Sequence, residues 1–220
     1  MEYLKIFITI MLAMLTTFAV VNTIVSEWSN RGFILDIWKR FTLRMFAEVF
    51  SVLIIVIVVG FTCYFTLPFL RFGWLSLFVE GGGNIAIAPI MEGAKYSFQL
   101  IRILPPIFLF FLLVALPFFA KAEEEAFRHG YEDWRGIVIQ SIKFGLIHLL
   151  VGIPIYAFIP LSIAGFFFGY KYKRAFEKSR NKGTDVYCSR EEGVLASTAY
   201  HTLYNSILIL FLLIVCIAMV

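Results

Sequence analysis

Charge is scarce in this chain. Of its 220 residues only 15% are Asp, Glu, Lys or Arg, while 60% are hydrophobic, which leaves too few polar side chains to coat a water-soluble globule. A mean hydropathy of +0.86 makes lipid the expected solvent for most of the surface. Cysteine occurs three times, at Cys63, Cys188 and Cys216. These are far apart and form no C-x-x-C pair, so no disulfide framework or thiolate metal site is indicated. Internal repeats, inverted halves, heptads and low-complexity tails are all missing, which argues against a transporter built from two related bundles. No A-x-A-like cleavage site follows Lys5 and the apolar run of the first 25 residues. That run is therefore expected to be an uncleaved first span rather than a signal peptide.

What is present is phenylalanine, 25 times, a bias that suits lipid-facing helices. The net charge of +4 does not point to nucleic acid, because the basic residues are confined to short loops between apolar segments, where they act as topology signals. A helix needs about 20 apolar residues to cross a bilayer. Six stretches qualify, near 5–25, 46–68, 98–120, 137–153, 154–171 and 194–219. The fourth and fifth are short and meet at Gly152-Ile153-Pro154, which predicts a tight hairpin. Residues 71–97 hold Gly81-Gly82-Gly83 between two apolar scraps too short to cross, which predicts a surface or re-entrant loop.

The expected fold is thus all-α: one membrane-embedded domain over residues 1–220, a polytopic bundle of about six spans with room for a seventh or eighth helix that is broken or re-entrant. With the amino terminus outside, loops 26–45, 121–136 and 171–193 share one side and carry fourteen of the 19 Lys and Arg residues. Lys5, Arg71, Lys95 and Arg102 lie on the other. Basic loops stay in the cytosol, so a multi-pass cell-membrane protein with both termini on the outer side is predicted.

Ionisable groups at membrane depth cost on the order of 2.5–3.5 kcal/mol each on insertion scales, which makes their positions informative. Three polar clusters stand out, and each histidine of the chain belongs to or adjoins one. Glu123-Glu124-Glu125-Ala126-Phe127-Arg128 closes the third span, with Glu124 and Arg128 one helical turn apart and able to pair. Burial and adjacent carboxylates disfavour ionisation, so one Glu is expected to have a raised pKa that suits its carboxylate to act as a base near neutral pH. Phe144-Gly145-Leu146-Ile147-His148 sets an imidazole roughly 16 Å into the fourth span, near mid-membrane, with nothing local to satisfy it. His201-Thr202-Leu203-Tyr204-Asn205 puts an imidazole and a carboxamide on one helix face, two donors suited to stabilising an oxyanion. Each cluster also has a plainer reading, as a solvated acidic helix end or as polar contacts between packed helices.

In this order the three clusters resemble the motifs EExxxR, FxxxH and HxxxN of the CAAX prenyl endopeptidase and bacteriocin-processing (CPBP, or Abi) family of membrane proteases. The resemblance spans residues 123–205, and residues 1–97 contribute only hydropathy to it. It implies an intramembrane endopeptidase in which Glu123 and His148 activate a water, His201 and Asn205 hold the oxyanion, Glu124 with Arg128 braces the site, and Phe144 supports it. It implies an active site opening toward the cytoplasm, a peptide or protein substrate in or at the bilayer, and no cofactor. Glu125 adds a third carboxylate, His129 replaces a common glycine, and the chain is shorter than the eight-helix prenyl-protein proteases. Two rivals stand beside this reading. One is a non-catalytic scaffold or bacteriocin-immunity-type protein that keeps the polar groups for packing. The other is a zinc-dependent protease with Glu123, His148 and His201 as ligands.

Overall fold

The computed structural model describes residues 2–77 and 99–219, which are helical throughout with no strand among them. Seven α-helices follow one another: α1 (Glu2–Glu27), α2 (Gly32–Lys39), α3 (Leu43–Thr66), α4 (Gln99–Arg128), α5 (Trp134–Ile147), α6 (Phe158–Arg180) and α7 (Val186–Met219). The run Ser51–Val59 in α3 is rich in Val and Ile, which favour strands in water. In hydrocarbon every backbone group must be satisfied within its own segment, so the run is helical. Its hydroxyls are handled the same way: Ser51, Thr62 and Thr66 each donate to the carbonyl one turn back, at 2.7–2.8 Å. Thr42 accepts from Met45 N–H, Asp133 from Gly136 N–H and Asp185 from Cys188 N–H, at 3.0–3.2 Å, so α3, α5 and α7 all begin on a side-chain cap.

Leu43–Thr66, Pro106–Arg128, Trp134–Val151 and Val186–Val215 are each long and apolar enough to cross a membrane. Their outward faces are apolar, with Phe65 and Phe211 about two-thirds exposed, as lipid-facing side chains are. The stretches expected to span at 5–25 and 154–171 are carried by α1 and α6. Helix α6 begins apolar and ends in a basic segment; it packs against α3, α5 and α7 and lies at the centre of the bundle.

Glycines set the close approaches to α6. A Cβ on Gly145 of α5 would fall 2.4 Å from the Phe158 carbonyl, and one on Gly169 of α6 would fall 2.8 Å from Ile137. Small residues of this kind let helix backbones meet in lipid. The predicted hairpin is present: α5 runs into a 3-10 turn (His148–Val151), Gly152 adopts φ +90°, and a second turn (Ile155–Ala157) leads into α6. The segment at 72–74 clamps it. The Phe72 carbonyl accepts from Ile155 N–H at 3.0 Å, and the Trp74 indole donates to the Leu149 carbonyl at 3.0 Å. The rest of the predicted re-entrant loop, residues 78–97, lies outside the described residues.

Ion pairs tie the helices together on the face that carries the basic loops. Arg40 grips Glu192 through two contacts of 2.7 Å, and Arg190 meets Glu132 at 2.6 Å. Glu48 of α3 accepts from Lys171 of α6 and from the Tyr200 hydroxyl of α7, each at 2.6 Å. One carboxylate thereby joins three helices.

Candidate active site

The last turn of α4 presents Glu124 and Arg128 to the bundle interior, both with no exposed surface. They are one helical turn apart, as expected, with Arg128 Nε 3.3 Å from Glu124 Oε2. The guanidinium also donates to the Gly165 carbonyl at 2.9 Å and lies 5.4 Å from the centre of the Phe144 ring. Buried charges persist only when paired and hydrogen-bonded. Gly165 makes this possible, because a Cβ there would fall 2.9 Å from the Phe144 ring and 3.3 Å from Arg128 Nη2.

The other oxygen of Glu124 reaches α7, where Oε1 lies 2.9 Å from His201 Nδ1. An ionised carboxylate only accepts, so the hydrogen-bond network assigns a proton to Nδ1. Phe168 stacks on the His201 ring at 4.4 Å and Phe144 meets it edge-on at 5.6 Å. The ring therefore has little freedom, and its Nε2 faces Glu123 Oε2 at 3.9 Å.

His148 belongs to the same group through Phe144, whose ring centre is 4.6 Å from the imidazole. Its placement corrects two expectations. His148 terminates α5 instead of lying within a longer helix, and a local partner satisfies it: Nδ1 donates to the Phe144 carbonyl at 2.6 Å. That bond leaves Nε2 as the acceptor nitrogen. Asn205 is half-buried one turn beyond His201. Among the described residues no hydrogen bond joins it to the other groups.

Glu123 Oε2, Glu124 Oε2, Arg128 Nε and the hydroxyls of Thr198 and Thr202 are buried without a hydrogen-bond partner among the described residues. Thr198 and Thr202 flank His201 on α7. Glu124 Oε2 and Arg128 Nε are each other's ion-pair partners at 3.3 Å, which leaves Glu123 Oε2 and the two threonine hydroxyls as the unsatisfied atoms around His201, where native interiors leave few.

No protein-family model, no curated protein and no solved structure matches this chain.

The structure thus brings together Glu123, Glu124, Arg128, Phe144 and His201, with His148 adjoining them through the Phe144 ring, and adds Gly165 and Phe168, which sequence reasoning missed. The signal for these was the Gly165-Phe166-Phe167-Phe168-Gly169 pattern, a small-xxx-small spacing that marks a helix interface. Glu125 points away from the site to an ion pair with Lys121, and His129 Nε2 lies 3.5 Å from Glu191. Among the described residues no group of three or more His, Cys, Asp or Glu side chains is arranged to hold a metal ion.

Proposed function

We propose that this protein is an intramembrane endopeptidase of the CPBP type, hydrolysing a peptide bond of a membrane-associated or lipid-anchored substrate with a glutamate-activated water. The observation that carries the reading is the facing of Glu123 Oε2 and His201 Nε2 across 3.9 Å, with Glu123 Oε2 buried and without a partner. A water with hydrogen bonds of about 2.8 Å fits between two such atoms.

In this mechanism Glu123 takes a proton from the water as its oxygen attacks the scissile carbonyl, and the Nε2 acceptor of His148 assists. The carbonyl oxygen becomes the oxyanion. His201 donates to it through Nε2 in the imidazolium form while Nδ1 donates to Glu124, and Asn205 supplies a second donor. As the C–N bond breaks, Glu123 returns the proton to the leaving amine. Glu124 and Arg128 hold His201 in place, as a carboxylate orients a catalytic imidazole elsewhere. The excess of Lys and Arg in the loops on this side supports a site that opens toward the cytoplasm.

Incubating the protein in liposomes with lipidated and unlipidated peptides, and identifying products by mass spectrometry, tests the proposal. A scaffold or immunity-type role is the second reading, favoured by the way Glu124, Arg128 and His201 each bond across helices. It predicts no product from any peptide. The zinc-dependent variant predicts activity lost to a zinc-selective chelator and restored by added zinc.

A further inference from the structure

Two clefts adjoin on the face that carries the basic loops. The larger, about 540 Å³, lies between the end of α2, the last turns of α6 and the start of α7, and is lined by Arg40, Lys178, Ser179, Lys182, Thr184 and Glu192 among others. Arg40 is neutralised by its two contacts with Glu192. Lys178 and Lys182 have no carboxylate at ion-pair distance among the described residues, so the cleft carries uncompensated positive charge. The smaller, about 290 Å³, lies against Phe33, Lys121, Glu191, Val194 and Leu195, and shares Cys188 and Glu192 with the first; Lys121 pairs with Glu125, and His129 lies 3.5 Å from Glu191.

Their depths differ in a consistent direction. Arg40 stands three residues before Leu43, where α3 begins its apolar span, so the Arg40–Glu192 pair marks the level of the lipid headgroups. Helix α2 fits that level, with Trp38 and Leu35 exposed as in an interfacial helix. Along α7, Leu195 lies about 10 Å deeper than Cys188 at 1.5 Å per residue. The basic cleft is at the headgroup layer, and the slot descends from it toward the hydrocarbon.

We propose that the two clefts form one binding site for a lipid with an anionic phosphate headgroup. The phosphate pairs with Lys178 and Lys182, and Ser179 and Thr184 offer it hydroxyl donors. One acyl chain follows Val194, Leu195 and Phe33 into the slot. Phosphate and ammonium groups pair strongly at such boundaries, and a volume of this size suits a phosphate ester headgroup. The site is independent of the protease reading, since none of its residues belongs to the catalytic group.

Native mass spectrometry of the full-length protein, loaded with dioleoyl phosphatidic acid or with dioleoyl phosphatidylcholine, tests this. The wild type is expected to retain one phosphatidic acid in preference to phosphatidylcholine. Lys178→Gln with Lys182→Gln weakens retention about fivefold per lysine, while Arg135→Gln, an exposed charge elsewhere, leaves it unchanged. All three proteins are checked for equal melting temperature, because the substituted side chains are exposed. Dihexanoyl phosphatidic acid is expected to bind less tightly than the dioleoyl form, and glycerol 3-phosphate less tightly still. Equal retention of phosphatidylcholine, or an equal loss in Arg135→Gln, overturns the site. Glycerol 3-phosphate binding as tightly as the long-chain lipid overturns the role of the slot.

Discussion

His201 Nδ1 stands 2.9 Å from Glu124 Oε1, with both side chains closed off from the surface. A residue on the last helix is thereby oriented by one at the end of α4, and the same carboxylate sits beside Arg128. Glu124→Gln leaves the Arg128 guanidinium without its counter-charge in the interior. The expected loss of stability is about 3–5 kcal/mol, whereas Glu124→Leu combined with Arg128→Met recovers much of it because no lone charge remains. Thermal unfolding in detergent measures both. If the double variant is as unstable as the single one, Glu124 and Arg128 are not an energetic pair.

Glycine at 165 is required by space. Gly165→Ala pushes a methyl group toward Phe144 and Arg128 and is expected to cost about 1–3 kcal/mol, the usual penalty of overpacking. A Cβ on Gly32 meets nothing within 4 Å, so Gly32→Ala is expected to be neutral or slightly stabilising. Melting temperatures of the two variants decide the matter, and equal shifts would show that α6 does not approach α4 and α5 as described.

The Glu48 link among α3, α6 and α7 separates into two contributions. Tyr200→Phe removes one hydrogen bond and is expected to cost about 0.5–1.5 kcal/mol. Glu48→Leu strands the partly buried Lys171 as well and should cost more. Were Tyr200→Phe the more damaging of the two, the carboxylate would not be the centre of the network.

Asp185 caps α7, and hydrogen bonds from the Cys188 thiol and backbone N–H hold its carboxyl below the ordinary carboxylate range. A depressed carboxyl stabilises the folded cap at pH above its unfolded value. That contribution disappears as the pH falls through the folded value. Amide protection over the first turn of α7 should therefore drop at acidic pH in the wild type and be low at every pH in Asp185→Ala. A pH-independent profile in the wild type would contradict this.

The helices were legible because apolar runs in lipid have no alternative to helix, and the Glu124–Arg128 pair because the i, i+4 spacing fixes it. The hairpin at Gly152-Ile153-Pro154 was legible from its two helix breakers. Gly165 and Phe168 were not, since what they touch depends on how α6 crosses α4, α5 and α7, and no local rule specifies that. The local partner of His148 was missed for a related reason: the α-helix ends there, and its imidazole bonds the Phe144 carbonyl. Glu48 escaped notice, though it lies within the 46–68 stretch, because its partners are 123 and 152 residues away and no local spacing reveals them.

Glu123 offers the most direct test of the central claim. Its side chain is part-exposed, and Oε2 makes no hydrogen bond in the structure, so Glu123→Gln should melt with the wild type while losing the group that takes the proton. Cleavage of lipidated or unlipidated peptides in liposomes, followed by mass spectrometry, is expected for the wild type and reduced about 10²-fold or more in Glu123→Gln. Equal cleavage by the two proteins, or no cleavage by the wild type across both peptide classes, would contradict the assignment of a glutamate-dependent intramembrane protease.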